Sequence, residues 1–299
     1  MPQSLCVFAN FSIDNDERFK RMKDSFYSFK NINPEQWIIN IRGRLKSQAG
    51  KFLKKELGDK IKIFNLQSRQ GWFYDTKIII GHINVDYVFI WVEDHILINN
   101  LVNLKNSILE MKKFKVDQLW YSFLTNQIKD RFAILPSHKK GKYITVTKID
   151  EDACYKIRNK LKSDFYTIAM ISIMRKDYFI KVIHSSKPYL KRWPRYLPFD
   201  FEKKSTDKVF PVILHALPNK ELFASIDDDR GQDGYSLISR GIYKSSISRE
   251  ALKKIEFFNP KSNTKRLKKY IPKKLISLVA KTVFFIRRVN FTLNIFKHR

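Results

Sequence analysis

Glu93, Asp94 and His95 stand side by side in the chain, two carboxylates and an imidazole, all ionisable and all able to ligate a metal. They follow directly on a run of β-branched and aromatic residues, Tyr87 to Val92 (YVFIWV), and apolar residues resume at Ile96. Such a run suits a strand buried on both faces, as in a parallel sheet. Charged groups delivered at the end of a buried strand are costly unless something partners them. In open α/β sheets that end of the strands is where ligands bind. The other residues with chemical potential have plainer settings. His82 and His184 fall in helical segments and His215 in an apolar run, so all three read as packing or surface residues. Asp227 to Gly234 (DDDRGQDG) reads as an acidic, turn-rich island.

The elements that must position the cluster are legible in order. Leu5 to Phe11 (LCVFANF) reads as a buried strand. Phe19, Met22, Phe26 and Phe29 recur at helical spacing within Glu17 to Phe29. Gln36 to Ile41 is a second strand ending at Arg42-Gly43, and Ala49 to Leu57 a helix stopped by Gly58. Lys60 to Leu66 alternates as a third strand, Gly71 opens another helix, and Asp86 leads into the Tyr87 strand. Strands alternating with helices predict a parallel sheet with right-handed crossovers. Beyond it the sequence predicts a helix from Asn99 to about Phe114, a hairpin around KKGKYITVTKI, and helices over 152–162 and 176–183. Thr167 to Met174 and Val209 to Leu217 are apolar segments, and the Pro- and aromatic-rich stretch from Lys187 to Lys204 reads as a loop.

Composition sets outer bounds. A chain of 299 residues with 43% hydrophobic content can bury a real core. Two cysteines, Cys6 and Cys154, have no metal-ligand spacing and predict a reducing compartment. The first residues lack the basic-then-apolar pattern of a secretory signal, and no run of about 18 apolar residues predicts a spanning helix. The charge is extreme, 58 Lys and Arg against 29 Asp and Glu, net +29. It implies a polyanionic partner or surface: nucleic acid, anionic lipid or a phosphorylated substrate.

Residues 3–120 resemble the nucleotide-sugar domain of GT-A glycosyltransferases, particularly the family 2 type. The resemblance lies in order and spacing: a first strand closing on Val7-Phe8-Ala9-Asn10, a helix with Ser25-Phe26, the QWIINI strand, a helix led by Gly71, and a fourth strand ending where the family carries an Asp-x-Asp metal motif. Glu93-Asp94-His95 stands in that place. The resemblance implies a nucleotide-sugar donor contacted by Asn10, Asn40, Arg42, Gly71 and Asp94, with Glu93 and His95 as ligands of a divalent metal, Mn²⁺ or Mg²⁺. A His ligand favours Mn²⁺. Glu93 and His95 can share one ion only if the strand turns there, because neighbouring strand residues face opposite ways. Asp94 is the alternative ligand, or a ribose contact; basic surroundings are the alternative carrier of the diphosphate charge. Two departures stand out. Asn40 and Arg42 occupy the region where the family has a base-holding Asp, and the metal motif is Glu-Asp-His. The resemblance also implies a carboxylate base for the acceptor hydroxyl. Asp200 and Glu202, after the aromatic loop with Trp193 and Tyr196, are the candidates, with Asp227 to Asp229 competing.

The tail has its own character. No acidic residue follows Glu256, and Leu275, Leu278, Val279, Ile286, Val289, Leu293 and Phe296 share one broad helical face opposite lysines and arginines. The expected whole is an α/β protein with a GT-A-like, Rossmann-type mixed sheet flanked by helices and a basic helical tail. Residues 1–120 would form the nucleotide-sugar half, 121–258 the acceptor half, and 259–299 an amphipathic segment on an anionic membrane. The expected activity is inverting hexosyl transfer to a saccharide or lipid-linked acceptor in cell-surface polysaccharide or lipopolysaccharide synthesis. The expected place is the cytoplasmic, inner face of the cell membrane. The rival reading is a nucleic-acid-binding or nuclease-like protein using the basic surface.

Overall fold

The computed structural model describes residues 3–68, 71–123, 133–161, 171–184, 212–227 and 236–244. All belong to the first of two compact units, 1–244 and 245–299. The chain alternates as expected: β1 (Gln3–Ser12), α1 (Asp16–Phe29), β2 (Pro34–Arg42), α2 (Lys46–Leu57), β3 (Ile61–Phe64), α3 (Trp72–Ile80) and β4 (Tyr87–Ile90). The second half adds β5 (His95–Leu97), α4 (Leu101–Lys113), β6 (Gln118–Trp120), β7 (Lys139–Lys140), β8 (Ile144–Ile149), α5 (Glu151–Leu161), β9 (Ser172–Arg175), α6 (Lys176–His184), β10 (Ile213–Pro218) and β11 (Phe223–Ser225).

Nine strands form one sheet in the order β3-β2-β1-β4-β9-β6-β10-β8-β7. The β3-β2-β1-β4 half is parallel. Beyond it the sheet is mixed, as expected: β9 runs antiparallel between β4 and β6, β10 pairs parallel with β6, and β8 runs antiparallel to both β10 and β7. The predicted hairpin is β7–β8, with Gly141 N donating to Ile144 O. Separately, β5 and β11 pair as a two-stranded ribbon. The short strands β5, β6 and β11 carry too few residues for a period to register in the sequence.

Local chemistry explains the ends. Asn15 caps α1 by accepting from Arg18 N at 2.9 Å, with Asp16 and Glu17 in the first turn, where acidic groups suit the helix dipole. Gly58 takes φ 59 to stop α2, as its position suggested. The α3 helix ends at Ile80, so His82 lies just beyond it. The core face of α1, Met22, Phe26 and Phe29, packs with Trp37, Phe89, Trp91 and Phe223, and Phe29 touches all four rings. Phe29 stacks on Trp37 and meets the other three edge to face, and such pairs add to the burial of the rings themselves. This aromatic cluster fixes α1 against the sheet beneath the strand ends that carry the site.

Candidate functional site

From β1 the chain goes to β2 and then outward to β3; it returns to lay β4 on the other side of β1. In open α/β sheets such a reversal marks the crevice where ligands bind, here at the C-terminal ends of β1 and β4. The apolar run ends its ladder sooner than its composition suggested. β4 stops at Ile90, Trp91 N still bonds to Phe8 O, and the chain turns at Glu93-Asp94 with His95 N on Val92 O. The turn that a shared role for Glu93 and His95 requires is therefore present. Ser25 anchors it from α1, donating to the His95 carbonyl and accepting from Trp91 Nε1 at 2.9 Å. Tyr121 OH donates to Ile90 O at 2.7 Å from below.

The three chemical groups have distinct surroundings. Glu93 pairs with Arg18 at 3.0 Å. Burial raises its pKa; Arg18 opposes this and the neighbouring Asp94 adds to it. Asp94 Oδ1 lies 2.7 Å from His95 Nδ1. Burial works to raise the Asp94 pKa, but His95, Arg18 and Arg21 together take it below the ordinary value. Two adjacent carboxylates thus titrate apart, the pattern that separates acid from base roles. His95 is buried and its Nε2 has no hydrogen-bond partner.

Charge around the turn comes from α1. Arg18 and Arg21 lie three residues apart on one helical face. Arg21 is almost wholly buried between Glu17 at 3.0 Å and Asp227 at 2.8 Å. Burial works to lower its pKa, but the two carboxylates outweigh it and the pKa is raised. Ile226 N bonds to Asp94 O, which brings Asp227 to the rim of the same turn. The sequence reading passed over both arginines because it followed the apolar positions of α1; their spacing of three was the available signal.

Asn10 and Asn40, register partners on β1 and β2, join their side chains in one network. Asn10 donates to Trp72 O and Thr76 Oγ1 and accepts from Asn40; Asn40 also bonds both ways to the Leu66 backbone. They fix the first three strand ends and α3 to one another, and both amide nitrogens are spent on these bonds. Gly71 caps α3 with φ 87, a backbone that favours glycine. It sets the helix so that Asp75 is buried, with Oδ1 accepting from Ser68 N at 3.1 Å.

Next to this network lies an unsatisfied set. Arg42 Nε, Asp75 Oδ2 and Ser68 Oγ are all buried without a hydrogen-bond partner. Burial lowers the Arg42 pKa against the pull of Asp75, Glu93 and Asp14. Each such group costs about 1–3 kcal/mol while it stays unpaired. A cation, a carboxylate and a hydroxyl near the end of β2 form a set that a polar ligand with donors and acceptors would satisfy. Asp75 and Ser68 were not read from the sequence; Asp75 was hidden inside an apolar helix.

Among the described residues no three His, Cys, Asp or Glu side chains converge on a point that would hold a metal ion. The donors in the motif are turned to other partners: Glu93 to Arg18, and Asp94 and His95 to each other. This arrangement does not fit a resident divalent ion, and the positive charge at the crevice belongs to Arg18, Arg21 and Arg42. Asp200, Glu202, Asp228, Asp229 and the whole 259–299 tail lie outside the described residues. His184 closes α6, and His215, buried on β10 beside Trp120, is held neutral by burial with a pKa of about 3.

No protein-family model and no curated protein matches the chain. Several solved structures resemble it in shape. S. aureus TarS 1–349 aligns at 12% identity and a TM-score of 0.43, over 75% of this chain and 60% of that one, so the chain spans less than two thirds of that structure's length. The mannosyltransferase PcManGT of Pyrobaculum calidifontis, solved with GDP-Man and Mn²⁺, aligns at 12% identity and 0.35, over 44% and 39%. A UDP-glucose pyrophosphorylase complexed with UDP-glucose aligns at 10% identity and 0.42, over 81% and 99%.

Proposed function

We propose that the chain is a glycosyltransferase that takes a nucleotide-sugar donor in the crevice at the ends of β1 to β4. The observation that carries this reading is the unpaired polar set of Arg42, Asp75 and Ser68 beside the strand-order reversal. A nucleotide offers both partners such a set lacks. Its base or ribose can donate to Asp75, and its carbonyl or phosphate oxygens can accept from Arg42. In the reaction the bond from the sugar to the diphosphate breaks, and negative charge grows on the leaving oxygens. Cationic side chains set near those oxygens stabilise that charge without reorganising. Arg18 and Arg42 are the candidates for it. Asp94, held ionised, keeps His95 oriented through Nδ1. Asp200 or Glu202 would take the proton of the acceptor hydroxyl; Asp227, tied to Arg21, is the weaker candidate. The finer reading has a hexosyl group passing, with inversion, to a saccharide or lipid-linked acceptor of a cell-surface glycan. The tail would keep the enzyme on the inner face of the membrane.

The test is nucleotide-dependent thermal stabilisation of the wild type and of Arg42→Met. UDP, GDP and their sugar conjugates are expected to stabilise the wild type. Arg42→Met keeps the aliphatic stem, and its melting temperature without ligand is the baseline against which the ligand shift is read. It should bind the nucleotide at least about tenfold more weakly. Stabilisation by oligonucleotides alone would turn the reading to nucleic-acid binding.

A further inference from the structure

A cavity of about 470 Å³ opens at the end of the central strands opposite the proposed donor site, below the start of β4. Four cations line it, each from a different place in the fold. Lys112 comes from the last turn of α4, Lys115 from the turn after it, Arg175 from the end of β9 and Lys176 from the start of α6. Asp86 and Asp177 are the carboxylates of the lining. Among the described residues none of the three lysines forms an ion pair; Lys112 only faces the Tyr87 ring, at 5.9 Å. The Arg175 guanidinium is held by Asp117 at 2.8 Å through one nitrogen, while its Nε is buried with no partner.

Two details set this cluster apart from ordinary surface lysines. Lys115 has φ 54, a left-handed backbone at a helix end where glycine or asparagine is the usual occupant. Val116 N bonds to Met111 O there and holds the turn. A cationic side chain is thus carried at the cavity by a backbone position that lysine seldom takes. Lys112 is half-buried, and burial depresses its pKa despite the nearby Asp86 and Glu35. An anion in the cavity would relieve that cost.

We propose that this cavity binds a phosphate-bearing anion, at a site separate from the strand-end crevice. A guanidinium fixed at one edge and three mobile ammonium groups suit phosphate oxygens. The volume is that of a small-molecule site. The phosphate could belong to a free phosphorylated metabolite or to a lipid headgroup, and the two are separated by experiment.

The full chain is titrated with glycerol 3-phosphate by calorimetry. It is also co-sedimented with phosphatidylglycerol vesicles against phosphatidylcholine vesicles. Lys115→Gly removes one charge and relieves the strained backbone, so the fold is expected to hold; combined with Lys176→Gln it removes two. Lys112→Gln is an independent second variant, and Arg42→Met reports on phosphate taken by the crevice instead. The double variant is expected to weaken glycerol 3-phosphate binding by about tenfold, and Lys112→Gln to weaken it in the same direction. A loss confined to the vesicles assigns the site to a lipid phosphate. Unchanged binding in both arms, or a loss seen only with Arg42→Met, overturns the proposal.

Discussion

Arg42 and Asn40 sit two residues apart on β2, and their surroundings assign them opposite tasks. The Asn40 side chain bonds through both its nitrogen and its oxygen, which makes it a brace; Arg42 is half-buried with its Nε buried and unpaired, and it is the residue we propose for the donor. The same accounting applies to the motif. Because Glu93, Asp94 and His95 are turned to Arg18 and to each other, the binding of UDP or GDP is expected to persist in EDTA. Calorimetry with and without chelator checks this, and loss of binding on chelation would restore a metal to the site. A separate prediction concerns acid stability. The unfolded chain protonates His215 below about pH 6.5, whereas the folded chain resists until about pH 3. The unfolded state therefore binds more protons in that window, and stability falls as pH drops from about 6.5 towards 3. His215→Phe should flatten this limb of urea-midpoint against pH, measured between pH 4 and pH 7.

At the scale of elements, α1 serves the site in two ways. Its apolar face, with Phe26 and Phe29, binds the aromatic core, and its Ser25, Arg18 and Arg21 reach the turn after β4. The Asn10–Asn40 network does the corresponding work for β1, β2, the end of β3 and α3. Asn40→Ala would leave the backbone N–H and carbonyl of Leu66 and the Asn10 side chain without their partners. It should cost about 2–4 kcal/mol in urea unfolding and loosen the crevice, so nucleotide affinity should fall with it. If affinity holds while stability drops, the network braces the sheet without shaping the site.

At the scale of the molecule, the sheet divides into a wholly parallel half, β3 to β4, and a mixed half in which β9 and β8 run against their neighbours. Among the described residues no helix is long and apolar enough to cross a membrane. The net charge of +29 nonetheless asks for an anionic environment. The tail is proposed as the contact. Each Lys or Arg near an anionic leaflet adds roughly 1 kcal/mol, and the apolar face of residues 275–296 would sit in the interface. The full chain is expected to sediment with anionic vesicles more than with neutral ones, and a chain cut at Lys261 is expected to lose most of that preference. Equal sedimentation of both would remove the membrane role from the tail.

The first four strands and their helices were legible because each has a strong local period: alternation or a buried run for β1 to β4, the Phe19-Met22-Phe26-Phe29 spacing for α1, and Gly58 and Gly71 where the backbone needs positive φ. The position of Glu93-Asp94-His95 at a strand end followed from the apolar run before it. What those residues touch did not follow, because partners come from residues far away in the chain. Arg18 reaches Glu93 across 75 positions and Arg21 reaches Asp227 across 206. The antiparallel insertion of β9 between β4 and β6 is likewise a matter of long-range pairing, which no local pattern encodes. That Asp75 Oδ2, Ser68 Oγ and Arg42 Nε are buried without partners is decided only when the ends of β2 and β3 and the start of α3 are brought together. Sequence determined which elements form and where charge is carried along them; tertiary packing decided which of those charges are spent on the fold and which are left for a ligand.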